Sequence, residues 1–130
     1  MEKEFQDMIA DYMEKGFLEN IIDMFKHDHS LCCLIGELIQ DDRMRVRIGV
    51  TALVEELSGA GGIDLRAAVP GLLPLLHHEE PVIRGDAVNL LGIIGDESAL
   101  PALEEALADA DPSVRMLAGE AMADIRSSGA

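Results

Sequence analysis

Positive charge is scarce in this chain. Ten Lys and Arg side chains face 25 Asp and Glu, a net charge of −15. The one basic cluster is Arg43, Arg45 and Arg47. Nucleic-acid binding needs a basic surface that displaces counterions from phosphate, so no nucleic-acid partner is expected, and an anionic membrane is disfavoured for the same reason. A charged partner should itself be basic, although acidity also serves solubility alone. No apolar run approaches the roughly 20 residues that span a bilayer. The start, MEKEFQDMIADYMEK, lacks the basic block and apolar stretch of a secretory signal, so a cytoplasmic location is expected. Cysteine is limited to the neighbours Cys32 and Cys33, which strain a mutual disulfide and form no disulfide framework. No stretch alternates at period two, which leaves no sheet. No G-x-S-x-G, P-loop or GxGxxG occurs. The expectation is therefore a chain without catalytic residues, cofactor or metal.

What the chain has is repetition. Val46-Arg47, Ile83-Arg84 and Val114-Arg115 are β-branched–arginine pairs, the last two 31 residues apart. Pro81 and Pro112 each precede the arginine by three. The first interval is 37 residues, and its extra length falls in the glycine-rich SGAGGIDLR of 58–66. Beyond it, VPGLLPLL (69–76) aligns with LPALEEAL (100–107), Pro70 over Pro101 and Leu76 over Leu107. Each unit reads as two helices. In 112–127, Val114, Leu117, Ala118, Ala121, Met122 and Ile125 follow the spacing of one buried helix face. Asp111 suits the N-cap and Pro112 the first helical position. In 81–94, Ile83, Ala87, Leu90, Leu91 and Ile94 do the same, with Gly95 as the stop. A second helix over about 97–108 is expected to bury Leu100, Leu103 and Leu107.

The motifs V-R, L-G-x-I-G-D, A-x-P-A-L and L-x-D over 77–125 resemble the short HEAT repeat of the phycobilisome-lyase type. The resemblance extends well over 42–76 and weakly over 1–41. It implies an all-α superhelix, a solenoid of about three helical hairpins with an N-terminal capping helix and a final unpaired helix. A single domain over 1–130 is expected, divided into 1–41 (cap and degenerate first repeat), 42–76, 77–107 and the half repeat 108–127. All four aromatic residues, Phe5, Tyr12, Phe17 and Phe25, fall in the first fifth, which suggests an aromatic core for the cap. Family members usually bind other proteins. The alternatives are an accessory subunit of a lyase or other enzyme, as in bilin attachment, and a metal-binding protein. The di-iron relative deoxyhypusine hydroxylase carries His-Glu pairs just after V-R. Those positions here are Ile48-Gly49, Gly85-Asp86 and Met116-Leu117, a departure that disfavours this chemistry.

The repeat register also places HDHSLCC (27–33), a cluster of ligand-type residues. Ile39 lies eight residues before Arg47, as Leu76 and Leu107 lie before Arg84 and Arg115. Residues 30–40 thus become a second helix, with 17–26 as its first and 2–15 as the cap. At roughly 100° per residue, Leu31, Leu34, Ile35, Leu38 and Ile39 share an arc with Cys32 at its edge and Cys33 opposite. The thiols diverge, and the spacing is not that of a zinc site. Arg47, Arg84 and Arg115 are expected to form a structural series near acids such as Asp109 or Asp42.

In HEAT-like stacks the second helices line the concave side. Its exposed positions here are Cys33, Glu37 and Gln40; Pro70, Pro74 and His77; Pro101, Glu104 and Glu105. The expected partner is a protein with a basic or amphipathic segment; the alternative is a solvated face without a ligand. Helix 112–127 presents Met116, Gly119 and Ala123 outward, which suggests weak self-association through it. With Cys33 outward and Cys32 inward, alkylation of the folded protein should label Cys33 first. Peptide mapping that finds Cys32 labelled as fast would show the register to be wrong.

Overall fold

The structure, a computed structural model, describes residues 2–128. Residues 1, 129 and 130 of the expected single domain lie outside that range. Every ordered element among the described residues is helical. The chain divides into two compact units, Met1–Ala68 and Val69–Ala130.

In the first unit, α1 (Glu2–Glu14) runs into a turn at Gly16, whose φ of +93° favours glycine. Next come α2 (Leu18–His27), a 3-10 turn His29–Leu34, the short α3 (Ile35–Leu38), α4 (Met44–Ala60) and a 3-10 turn Arg66–Ala68. On α4, Val46, Val50, Leu53, Val54 and Leu57 form the buried stripe at helical spacing. Ile9, Ile21, Phe25, Ile35 and Ile39 complete the core.

Apart from Phe25 that core is aliphatic, which corrects the expectation of an aromatic core for the cap. Phe25 is the one aromatic side chain fully buried. Tyr12 is 37% and Phe17 50% exposed. The reason is angular. The inward stripe of α1 is Ile9, Ala10 and Met13, and Tyr12 stands about 100° from Met13 around the axis. Tyr12 and Phe17 instead meet edge to face at the α1–α2 turn, 5.8 Å between ring centres.

The second unit holds α5 (Val69–Leu72), a 3-10 turn Leu73–His77, α6 (Pro81–Ile94), a 3-10 turn Glu97–Ala99, α7 (Leu100–Ala106) and α8 (Pro112–Ser128). The first helices of the repeats are regular. The second ones begin or end as 3-10 turns. Pro74 explains one case: it has no N–H to continue α5, and its ring clashes with the preceding turn. Leu103 is fully buried, but Leu107 is 42% exposed, contrary to expectation, and Ala106 takes the inward place. Helix α7 stops at Ala106, and the Leu107 N–H donates to the Glu104 carbonyl three residues back. That tightened bond swings Leu107 off the buried stripe.

Helices α6 and α8 cross closely at Gly92. A Cβ there would lie 2.8 Å from the Ala121 Cβ and 3.0 Å from its Cα. At Gly59, on α4, a Cβ would meet nothing within 4 Å. Gly59→Ala should therefore stabilise by roughly 0.5–1 kcal/mol through helix propensity. Gly92→Ala should destabilise by about 1–2 kcal/mol, because overpacking outweighs that gain. Urea denaturation in which Gly92→Ala is as stable as wild type or more so would contradict the close crossing.

Candidate functional site

The turns that precede the first helices share one construction. Six residues before each repeat arginine stands an acceptor side chain: Asp41, His78 or Asp109. Each accepts the backbone N–H two residues on: Arg43 to Asp41 at 2.9 Å, Glu80 to His78 at 3.0 Å, Asp111 to Asp109 at 2.8 Å. In the second unit the repeat arginine then closes the turn. Arg84 Nη1 donates to the carbonyls of His78 (2.8 Å) and Glu79 (3.1 Å). Arg115 Nη1 donates to those of Asp109 (2.6 Å) and Ala110 (3.3 Å), five and six residues back in both cases. Asp111 Oδ1 accepts from the N–H groups of Ser113 and Val114, capping α8.

Arg84 also forms a bidentate pair with Asp109, Nε to Oδ2 at 2.9 Å and Nη2 to Oδ1 at 3.0 Å. The side chains are 14% and 9% exposed, so water screens the pair little. Hydrogen bonding to Arg84 holds the Asp109 carboxyl below the usual range. In the first unit, Arg43 grips Asp41 through Nε and Nη2 and reaches Asp11 on α1 through Nη1 at 2.9 Å. Asp41 is lowered by this bond too. The sequence pointed to Asp42 near a repeat arginine and did not single out the Asp41–Arg43 pair. The D-x-R spacing of Asp41 and Arg43 was the available signal, since Asp64 and Arg66 repeat it. The Arg66 hydrogen bond brings the Asp64 carboxyl down to about 2.

Asp28, Asp64 and Asp96 start the second helices, each accepting the N–H two residues on. Within HDHSLCC, therefore, Asp28 is a cap. His27 Nδ1 donates to the Asp23 carbonyl, and His29 Nδ1 accepts the Asp64 N–H. Cys32 is buried and Cys33 exposed. Burial first, then the nearby Asp64, Cys33 and Asp28 charges, push the Cys32 thiol up to about 11. No group of three or more His, Cys, Asp or Glu side chains among the described residues is placed to hold a metal ion.

Of the sequence-predicted surface, Cys33 and Glu37 are exposed in the first unit. Gln40 is half-buried, and its Nε2 donates to the Gly36 carbonyl. In the second unit Pro70, Pro74, His77, Pro101, Glu104 and Glu105 are all exposed. His77 and Glu105 come together at a cleft of about 180 Å³ between the 73–77 turn and α7. Leu76, Ala102 and Ala106 form its walls. Pro70, Pro74, Pro101 and Glu104 do not line it. The wall alanines were missed, though their spacing of four on α7 puts them on one helix side. On α8, Met116 is 60% exposed, with Gly119 and Ala123 also outward.

Against known proteins, the HEAT-repeat family profile matches residues 34–123, and the chain belongs to this family. Its fold is the all-α solenoid class. The match is to HEAT repeats as such and does not single out the phycobilisome-lyase type. Comparison with curated proteins gave no match. HEAT repeats generally mediate protein–protein interaction or scaffolding, and their proteins are typically non-enzymatic. No helix among the described residues is long and apolar enough to cross a membrane.

The Arg84–Asp109 pair makes a pH-dependent prediction. Arg84→Ala should cost about 2–3 kcal/mol at neutral pH, the scale of several charged hydrogen bonds partly shielded from water. Because the Asp109 carboxyl is depressed in the folded state, its contribution is complete above the unfolded value of about 3.9 and fades as pH falls below it. The stability gap between wild type and variant should narrow on acidification without closing, since the bonds to the carbonyls persist. Denaturation curves showing a pH-independent gap would argue against the pairing.

Proposed function

We propose that this chain is a non-catalytic interaction module. Its second helices bind a basic or amphipathic segment of a partner protein. The observation that carries this reading is the cleft between the 73–77 turn and α7. There the Glu105 carboxylate stands over alanine and leucine walls, a surface that suits a long aliphatic stem ending in a cation. Glu104 is exposed beside it, and the overall charge of −15 adds long-range attraction for a basic partner. Pro70, Pro74 and Pro101 hold the neighbouring backbone with little conformational freedom to lose on binding. In the first unit Cys33, Glu37 and Gln40 occupy the same register and are assigned the same role.

The test is a fluorescence titration with a labelled synthetic peptide of Lys and Leu in amphipathic helical spacing. Glu104→Lys/Glu105→Lys should weaken binding at the cleft about three- to tenfold at low salt, the scale of two rim ion pairs. Unchanged affinity would sink the second-helix reading.

A further inference from the structure

The three turns that lead into α4, α6 and α8 differ in one acceptor. At Asp41 and Asp109 a carboxylate oxygen takes the backbone N–H two residues on. At His78 the acceptor is the ring nitrogen Nδ1, 3.0 Å from the Glu80 nitrogen. A carboxylate accepts at any pH above its own acid range. An imidazole nitrogen accepts only while it carries no proton, so this turn requires a neutral ring with its proton on Nε2. Imidazole is the side chain that ordinarily changes charge between about pH 5 and 8.

Helix α6 leans on this bond more than α8 does on its counterpart. Asp111 caps α8 through the Ser113 and Val114 N–H groups. The N-cap of α6, Glu80, makes no side-chain capping bond, and Pro81 follows with no N–H to offer. The start of α6 is held instead by the His78–Glu80 bond and by Arg84, which donates to the His78 and Glu79 carbonyls.

The charges around the ring decide what a proton does there. The turn itself carries His77, Glu79 and Glu80. Helix α6 adds Arg84, α7 adds Glu105 at the cleft beside His77, and the turn before α8 adds Asp109, which Arg84 already grips. Glu79, Glu80 and Glu105 are exposed, so water and salt weaken their pull on an imidazolium. Three groups oppose the proton: the Glu80 N–H aimed at Nδ1, the Arg84 guanidinium bonded to the His78 carbonyl, and the positive end of α6. A proton on Nδ1 sets donor against donor, and the contact must part.

We propose that the 78–80 turn is a proton-sensitive latch at the entry to α6. It is closed while His78 is neutral and opens when the ring takes a proton. The carboxylate turns at 41–43 and 109–111 stay closed over the same range. Opening requires no peptide at the neighbouring cleft.

The test is an NMR titration of the full chain from about pH 8 to about pH 5, a range above that in which carboxylates ordinarily titrate. It follows the Glu80 amide and the His78 ring nitrogens. At the alkaline end the ring should carry its proton on Nε2. On acidification the Glu80 amide proton should move upfield with the same midpoint as the His78 ring. Its exchange with solvent, corrected for the intrinsic effect of pH, should quicken about three- to tenfold, the scale of one neutral hydrogen bond. His78→Asp, which installs the carboxylate of the other two turns, should remove the inflection. His78→Asn, with a neutral amide oxygen, serves if the added charge disturbs folding. The Arg43 amide, bonded to Asp41, should show no such inflection. A neutral ring with its proton on Nδ1 would overturn the latch. So would a His78 titration that the Glu80 amide does not follow, or a Glu80 inflection that survives both substitutions and so belongs to His77. An equal response at Arg43 would mark a change of the whole fold and overturn it too.

Discussion

The guanidinium of Arg84 joins the turn that leads into its own helix to a turn 25 residues further on. It closes the turn into α6 by donating to the His78 and Glu79 carbonyls, and it grips the Asp109 carboxylate 25 residues away. Asp109 in turn accepts the Asp111 N–H, and Asp111 caps α8. The end of α7 and the starts of α6 and α8 are thereby set by one charged network. Two recesses of the second unit border on it. Asp109 lines the cleft beside His77 and Glu105, and Asp111 lines the recess beside Val82 and Leu117. Helix ends leave backbone groups without intrahelical partners. Here side chains supply those partners, and their positions determine where the surface carboxylates stand.

The same economy explains the acidic surface. Arg43, Arg66, Arg84 and Arg115 are engaged with carboxylates or carbonyls of the turns. With ten basic side chains against 25 acidic ones, cations spent on structure leave the exposed Glu37, Glu104, Glu105 and Glu120 as negative surface. The floor of the cleft beside Glu105 is leucine and alanine and its rim carries carboxylate. The proposed preference for a cation on an apolar stem follows from that combination.

Much of the fold was legible because the signals were local. The stripe of 112–127, the Asp111 cap and the stop at Gly95 each depend on neighbours within one or two turns. All three are present: Gly95 adopts the left-handed conformation, φ +78°, and its N–H donates to the Leu91 carbonyl. The candidate surface was legible only as a set of outward positions. His77 and Glu105 share a cleft, but Pro70, Pro74 and Pro101 carry exposure and no more, and Gln40 folds back onto Gly36. A helical wheel reports which way a side chain leaves its own helix. It says nothing of what the next element brings to meet it.

The sequence by itself determined the all-helical class, the repeat register and the choice of Cys32 over Cys33 for the interior. Each follows from periodicity along one helix, or from one motif recurring at fixed intervals. Tertiary structure decided the rest. It put Tyr12 and Phe17 on the surface while Phe25 and aliphatic side chains filled the core, and it turned Leu107 outward and Ala106 inward. It also selected Asp41 as the partner of Arg43, and opened a recess at Gly85. Those outcomes depend on how closely two helices approach and where each one stops. Both are set by packing between residues far apart in the chain, which no single-helix pattern encodes.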